Sequence, residues 1–163
     1  MIAKQLLTKP FGDLSVVSFL LRAILGVVFF AHGAQKVLGW FGGYGLTGTV
    51  GFFESALGIP APLAYIAAFT EFFGGLAMLI GLLTRIWAIG FIVNMLVAMF
   101  VVHLPYGFFL NTGTNGGSGV EFVLTLCVLS IVALLLGPGR YSLDYLIFAR
   151  TEQEPTGQVS FAK

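Results

Sequence analysis

The sequence is poor in charge and nearly devoid of cysteine. Charged residues make up 9% of the chain, whereas soluble domains carry about 25%. The single cysteine, Cys127, excludes an internal disulfide, a Cys-x-x-Cys redox pair and a thiolate metal cage. A net charge of +1 gives no sign of nucleic-acid binding. These absences argue against a water-soluble globule, a disulfide scaffold and a nucleic-acid-binding module.

What the chain has instead is long apolar runs. Apolar residues account for 58% of it, and the mean hydropathy is +0.98. A charge-poor stretch of about 18 residues is long enough to cross a membrane as a helix. We predict an all-α membrane protein whose bundle contains four transmembrane helices, at residues 14–33, 61–83, 86–104 and 120–136.

The remaining segments are short. Residues 1–13 are predicted to be a cytoplasmic lead, residues 14–150 a single membrane domain, and residues 151–163 a flexible cytoplasmic tail. Residues 49–57 form a predicted helix that ends at Gly58. This helix is too short to span, so we expect it to lie at the interface or to dip in as a lid.

The distribution of Lys and Arg predicts the orientation, because cytoplasmic loops carry the excess of positive charge. Six of the eight basic residues fall on one side of a four-span bundle: Lys4, Lys9, Arg85, Arg140, Arg150 and Lys163. We therefore expect an inner-membrane protein with both termini in the cytoplasm. Cleavage as a signal peptide is disfavoured, since the first apolar stretch is too long for a typical signal core.

Two charges lie deep inside predicted spans. A charge at the centre of a membrane helix costs about 2.5–3.5 kcal/mol on insertion scales. Arg22 and Glu71 lie about 12 and 18 Å from the cytoplasmic ends of their spans, at 1.5 Å per residue. We predict an Arg22–Glu71 ion pair with Asn94 hydrogen-bonded beside it. Such a pair either anchors a ligand or only fixes the helix register.

A second polar group is expected near the outer face. His32 and Lys36 share one face of the first helix, His103 ends the third span, and Glu121 begins the fourth. Histidine and carboxylate at one membrane level are suited to proton exchange or to hydrogen bonding a ligand carbonyl or hydroxyl. The alternative is that these residues contact water and headgroups, with Lys36 snorkelling outward.

Helical spacing sets limits on these groups. Asn94 and His103 are nine positions apart, or about 180° around an ideal helix, so we do not expect both to face the bundle axis. The helices lack the paired His and carboxylate spacings typical of metal sites, so no metal is expected. Four glycines are predicted to allow close helix packing: Gly26, Gly74, Gly75 and Gly81.

A series of motifs resembles the DoxX family of membrane proteins. They are Arg22-x-x-x-Gly26, Phe30-x-His32-Gly33-x-x-Lys36, Phe52-Phe53, Gly58-Ile59-Pro60, Glu71-x-x-Gly74-Gly75, His103 before Gly107-Phe108, Gly119-x-Glu121 and Gly137-Pro138-Gly139-Arg140-Tyr141-Ser142-Leu143-Asp144. The last motif is the most specific, and the resemblance covers about residues 14–148. It implies a four-helix inner-membrane protein in a quinone-linked or sulfur-linked redox setting. It also implies a shared polar pocket lined by Arg22, Glu71, His103 and Glu121.

The first functional hypothesis is an oxidoreductase component that binds a quinone or similar lipophilic redox molecule within the bundle. The predicted catalytic residues are Glu71, His103 and Glu121, and the predicted ligand-binding residues are Arg22, His32, Lys36 and Asn94. Quinone is the one cofactor expected, and no covalently bound cofactor is expected. Electrons would pass directly or through a partner, which favours a subunit of a larger enzyme.

Two other functions use the same features. A small transporter or proton pathway would use the buried charges as a relay. A non-catalytic anchor would dock a soluble redox enzyme at the cytoplasmic surface formed by Arg85 and residues 140–150. The expected partners are the lipid bilayer, a lipophilic small molecule, such a soluble enzyme and a further copy of the chain in a homo-oligomer.

Overall fold

The computed structural model describes residues 13–110 and 117–148, which are helical and contain no β-strand. The six α-helices in these ranges are α1 Leu14–Leu38, α2 Gly45–Leu57, α3 Ala61–Ile80, α4 Thr84–Ala98, α5 Glu121–Leu136 and α6 Leu143–Phe148. The all-α prediction is confirmed. The predicted tail, and all but Asp13 of the predicted lead, lie outside the described residues.

Three helices are long and apolar enough to cross a membrane. They are α1, α3, and α4 together with its continuation as a π turn, Met99–His103, and a 3₁₀ turn, Leu104–Tyr106. Helix α5 is apolar but shorter, at 16 residues. Asp13 begins α1, because its carboxylate accepts a hydrogen bond from the N–H of Ser15 at 2.8 Å.

Helices α1 and α3 form the most extensive interface, and they run antiparallel. A Cβ added at Gly33 would lie 2.3 Å from the nitrogen of Phe72, and one at Gly75 would lie 2.4 Å from the nitrogen of Phe30. The two backbones therefore touch where only glycine fits. The close packing predicted for Gly75 is confirmed, and Gly33 is a further contact of the same kind.

The other predicted glycines also lie at tight contacts. A Cβ at Gly26 would meet the side chain of Leu79 at 2.7 Å, and one at Gly74 would meet Trp87 of α4 at 2.7 Å. Gly81 has a φ of +72° and ends α3. Its backbone conformation is one that L-residues rarely adopt.

Helices α4 and α5 form the second extensive interface. The two helix pairs meet in an apolar core, where the rings of Phe29 and Phe91 stack with centroids 3.7 Å apart. Buried residues from α1, α3, α4 and α5 complete this core: Leu25, Met78, Met95, Leu126 and Cys127.

The bundle has two unlike ends. The short-turn end carries the α3–α4 turn and residues 137–143, and the long-loop end carries residues 39–60 and 104–120. Helix α2 packs on α1 and α3 at the long-loop end. It begins four residues before the predicted position and ends at Leu57, as expected, with Gly58 in the left-handed conformation.

Helix register explains how α2 fits there. Since Gly33 lies against Phe72, Leu38 is level with residue 67, six residues inside the start of α3. Helix α1 therefore ends about 9 Å short of the level at which α3 begins. The turn at Trp40–Gly42 follows and contacts α1, and helix α2 packs on both α1 and α3.

Candidate functional site

A cavity of about 770 Å³ lies between α1, α3, α4 and α5, and opens toward the long-loop end. Its volume is within the range of small-molecule sites, about 300–1,000 Å³. Five of the seven residues predicted from the sequence line it: His32, Lys36, Glu71, Asn94 and His103. The structure places the other two, Arg22 and Glu121, elsewhere.

The charged centre of the cavity is an ion pair between Lys36 of α1 and Glu71 of α3. Lys36 Nζ bonds to Glu71 Oε2, and Asn94 Nδ2 donates to Glu71 Oε1 at 3.0 Å. Glu71 is only 5% exposed. Both carboxylate oxygens therefore have a donor, as burial of a charge requires.

The predicted Arg22–Glu71 pair is wrong, although the contact of Asn94 with Glu71 is confirmed. Arg22 is fully buried at the short-turn end, where Nη1 donates to the carbonyl of Met78 at 3.0 Å and Nη2 donates to the carbonyl of Tyr141. These carbonyls belong to the last turn of α3 and to residues 137–143. Their partial negative charge takes the place of a carboxylate.

The register of α1 against α3 explains the exchange of partners. Since Gly33 lies against Phe72, Arg22 is level with residue 83, beyond the end of α3, whereas Lys36 is level with residue 69. Glu71 is therefore about 3 Å from the level of Lys36 and about 18 Å from that of Arg22. Lys36 and Glu71 also lean toward each other, because a helical side chain leans toward the N-terminus of its own helix. Snorkelling of Lys36 toward the outer surface, the alternative raised by the sequence, does not occur.

His103 lies at the end of the π turn and is fixed by the loop that precedes α5. Its Nδ1 is 2.7 Å from the carbonyl oxygen of Ser118. A carbonyl oxygen only accepts, so Nδ1 carries the hydrogen, and Nε2 of a neutral imidazole is then an acceptor. This contact selects the tautomer that presents Nε2 to a hydrogen-bond donor.

The π turn also changes the geometry expected for α4. Asn94 and His103 both line the cavity, although an ideal helix would point them in opposite directions. In the π turn at Met99–His103 each residue turns the chain by a smaller angle than in an α-helix. The angle between the two side chains is thereby reduced.

Glu121 stabilises a loop at the long-loop end. Its Oε1 accepts a hydrogen bond from the N–H of Leu110 at 2.6 Å, and its own N–H donates to the carbonyl of Phe108 at 3.0 Å. Gly119 N–H donates to the carbonyl of Phe109 at 3.0 Å in the same loop. These contacts support a structural role, and the catalytic role predicted for Glu121 gains no support from this position.

His32 is exposed on α1 and lines the cavity one helical turn before Lys36. Its ring lies beside Phe122 of α5, with centroids 6.1 Å apart. His32 and His103 therefore contribute imidazoles from different helices to the same cavity. Within the described residues, no group of three His, Cys, Asp or Glu is placed to hold a metal ion.

Sequence reasoning missed several parts of the cavity wall. Phe52, Phe53 and Leu57 of α2 line it, as do Thr70 and Ser118. The pair Phe52-Phe53 with the Gly58 stop was a usable signal, because a short apolar helix beside a polar cluster is suited to cover it. Ser118 acts through its backbone carbonyl, which leaves no signal in the sequence.

Long apolar helices around a mainly apolar cavity with one charged cluster define a helical membrane protein. The family model of DoxX matches residues 17–104, more than half of the chain, and the protein belongs to the DoxX family. No solved structure matches this chain at a significant level.

Three curated relatives are similar over most of their length. The chain is 34% identical to "Putative oxidoreductase CatD" of Bacillus subtilis (strain 168), with 80% of this chain and 87% of the relative covered. It is 28% identical to "Inner membrane protein YqjF" of Escherichia coli (strain K12), with 77% of this chain and 88% of the relative covered. It is 33% identical to "Uncharacterized membrane protein Rv3486" of Mycobacterium tuberculosis (strain ATCC 25618 / H37Rv), with 76% of this chain and 77% of the relative covered.

Proposed function

We propose that this protein is a component of a membrane oxidoreductase that binds a quinone or similar lipophilic redox molecule in the cavity. The observation that carries the proposal is the Lys36–Glu71–Asn94 cluster, which lies with His103 in one cavity of an apolar bundle. The relative named as an oxidoreductase supports a redox role.

The shape of the cavity favours a ligand that comes from the bilayer. Part of its wall is formed by apolar side chains that are also exposed on the outside of α3 and α4. They are Leu63 at 54%, Ile66 at 61%, Val93 at 56% and Val97 at 43% exposed. A molecule with an apolar tail can therefore keep that tail in lipid while its polar ring enters the bundle.

Each polar residue has a proposed task. Lys36 donates a hydrogen bond to a ring oxygen, Asn94 accepts one through its Oδ1 from a hydroxyl of the reduced ring, and His32 contacts the ring from α1. Glu71 and His103 exchange the protons that accompany two-electron chemistry of a quinone. Arg22 and Glu121 have structural roles, because their hydrogen bonds hold the two ends of the bundle. Electrons come from a partner, a soluble redox enzyme that binds the short-turn end.

We further propose the arrangement in the membrane. Helix α5 acts as the fourth span, so that residues 14–150 form one domain in the inner membrane with both termini in the cytoplasm. The short-turn end, with Arg85 and Arg140, then faces the cytoplasm, as the positive-inside rule requires. The relative named as an inner membrane protein supports this location.

Binding of decylubiquinone to the purified protein in nanodiscs tests the proposal. Glu71→Gln keeps the shape but removes the charge that Lys36 and Asn94 face. The bond between Lys36 and the carboxylate holds Lys36 in place for the ligand, and a hydrogen bond to a charged group is worth about 1.5–3 kcal/mol. We therefore expect the affinity to fall by about 10- to 100-fold. Glu54→Gln makes the same chemical change on the exposed α2 and serves as the matched control. Equal affinities of the two variants, or no binding by the parent protein, would refute the proposal.

A further inference from the structure

A second, smaller cavity of about 240 Å³ lies at the long-loop end. It is formed by the end of α1, the Gly-rich turn and helix α2, and its lining residues are Gln35, Lys36, Gly42, Gly43, Tyr44, Thr49, Phe52 and Phe53. Lys36, Phe52 and Phe53 line the large cavity as well. Lys36 is therefore the charged group shared by the two cavities.

The wall of the small cavity is suited to water. The amide of Gln35, the hydroxyl of Thr49 and the exposed Tyr44 bring polar groups to it. Water in a cavity needs two to four polar partners, and these side chains together with the backbone of the glycine turn offer them. The wall of the large cavity between α3 and α4, by contrast, is mainly aliphatic and faces lipid.

The local contacts hold this opening in place. Thr49 Oγ1 donates to the carbonyl of Lys36 at 3.2 Å, which ties α2 to the last turn of α1. Gln35 Nε2 donates to the carbonyl of Phe41 at 3.4 Å. A Cβ at Gly43 would lie 2.2 Å from the carbonyl oxygen of Gln35, so the turn is folded tightly against α1.

We infer that the small cavity is an aqueous inlet that supplies protons to the Lys36–Glu71 pair. The large cavity would thus receive its ligand from lipid and its protons from water, and Lys36 lies in the wall of both cavities. This inference rests on the proposed function, because it assigns the proton source for the same site. It also gives Lys36 a role in addition to ligand binding.

The proton transfer is balanced in two steps. Lys36 Nζ gives one proton to Glu71 Oε2, to which it is bonded, and both groups become neutral. Lys36 then takes a proton from water in the small cavity, and Glu71 passes its proton to an oxygen of the ligand. The pair returns to its charged form, with one proton moved from the inlet to the ligand. Release of protons from a reduced ligand follows the reverse order.

The groups that face the pair allow this transfer. Glu71 faces Lys36 from α3, Asn94 faces Glu71 from α4, and His32 lies one turn from Lys36 on α1. Tyr44 lines the inlet together with Lys36 and is a further titratable group there. Asn94 bonds to the carboxylate oxygen that Lys36 does not use, so it keeps Glu71 in position while Oε2 changes protonation.

Thiol labelling tests the inlet directly. In a Cys127→Ala background, single cysteines replace Gln35, Lys36 or Ala67, and the proteins are placed in nanodiscs. A methanethiosulfonate with a trimethylammonium group probes aqueous access, and N-ethylmaleimide probes access from lipid. Ala67 lines the large cavity but not the small one, which makes its variant the matched control.

We expect the charged reagent to modify Gln35→Cys about tenfold or more faster than Ala67→Cys, because a permanent cation does not enter an apolar wall that faces lipid. Lys36→Cys should react with both reagents. Slow labelling of both Gln35→Cys and Lys36→Cys by the charged reagent would overturn the inference that the small cavity is an aqueous inlet. Decylubiquinone should protect Ala67→Cys from N-ethylmaleimide. Loss of this protection alone, with the inlet labelled as expected, would count against the proposed function and leave the inlet supported.

Voltammetry tests whether the inlet carries protons. An electrode supplies the two electrons that convert bound decylubiquinone, with two protons, to its quinol. Thr49→Leu fills the small cavity, and we expect proton-coupled reduction to become about tenfold slower. This loss of rate is smaller than the loss that follows removal of a general acid. The affinity for decylubiquinone should stay unchanged, which also shows that the variant is folded. Thr49→Ser is the control that keeps the hydroxyl, and equal rates for Thr49→Leu and Thr49→Ser would overturn the proton role.

Discussion

Arg22 and Lys36 show how one residue's place on its helix decides its partner. Both are cations on α1, and both find oxygen ligands inside the bundle. Arg22 binds backbone carbonyls at the short-turn end, whereas Lys36 binds the carboxylate of Glu71 in the large cavity. A guanidinium suits the first task because its rigid fork can reach two carbonyls at once.

Replacement of Arg22 tests its structural role. Arg22→Ala leaves the carbonyls of Met78 and Tyr141 without their donor, and buried unsatisfied groups cost about 1–3 kcal/mol each. We expect a lower midpoint of thermal unfolding in detergent, and weak rescue by Arg22→Lys. Decylubiquinone affinity of the folded fraction should stay within twofold of the parent value. A stable Arg22→Ala protein that has lost affinity would contradict this assignment.

The site residues could be predicted from the sequence only in part. The presence of polar residues in apolar helices was enough to select His32, Lys36, Glu71, Asn94 and His103. The depths of Arg22 and Glu71 gave the wrong pairing, because each was counted from the end of its own predicted span and these two ends are not level. Leu14 at the start of α1 is level with residue 91, about 16 Å beyond the end of α3 at Ile80.

At the scale of elements, α6 stabilises the start of α4. Asp144 Oδ1 accepts from the N–H of Leu83 at 2.6 Å, and Oδ2 accepts from the N–H of Thr84 at 2.9 Å. Leu83 has a φ of +53°, which is unusual for a side chain of this size. The N–H of Asp144 donates to the carbonyl of Gly81 at 2.9 Å, which closes the contact.

Removal of this cap should loosen the α3–α4 turn. Asp144→Ala deprives the N-terminus of α4 of both acceptors, and the loss of a helix cap costs about 0.5–2 kcal/mol. Asp144→Asn retains one acceptor oxygen and should cost less. Hydrogen exchange of the Leu83 and Thr84 amides should be faster in Asp144→Ala. Unchanged exchange at these amides would show that the cap is dispensable.

The family motif at residues 137–144 also joins helices to one another. Ser18 Oγ donates to the carbonyl of Gly137 at 2.6 Å, and Ser142 Oγ accepts from the N–H of Tyr145 at 3.1 Å. Ser142 therefore caps the start of α6. The other contacts at this end of the bundle could not be predicted from the sequence, since those of Arg22 and Asp144 join residues more than 55 positions apart.

At the scale of the whole molecule, the glycine contacts between α1 and α3 set the position of the site. They fix the register in which Lys36 meets Glu71, because Gly33 and Gly75 allow one closely fitting alignment. The sequence predicted this role for Gly75. It could not give the register, since the residues that a glycine approaches are known only once the helices pack.

Enlargement of one contact glycine should therefore disturb the protein as a whole. A Cβ at Gly33 would press on the backbone of Phe72, which has no room to move, so Gly33→Ala should separate α1 from α3. We expect loss of about 1–3 kcal/mol, the usual cost of overpacking, and weaker decylubiquinone binding. Gly51→Ala is the control, since a Cβ there meets nothing within 4 Å. A thermal midpoint for Gly33→Ala at or above that of Gly51→Ala would contradict the register.

The early end of α1 has an electrical consequence. The membrane potential drops across the hydrocarbon, which is about 30 Å thick, and a full crossing of one charge is worth about 2.3 kcal/mol per 100 mV. Helix α1 ends about 9 Å inside the level at which α3 begins. A proton that enters above this end and stops at Glu71 crosses only part of that drop. Proton supply to the site should therefore respond to voltage far more weakly than a current that passes through the whole membrane.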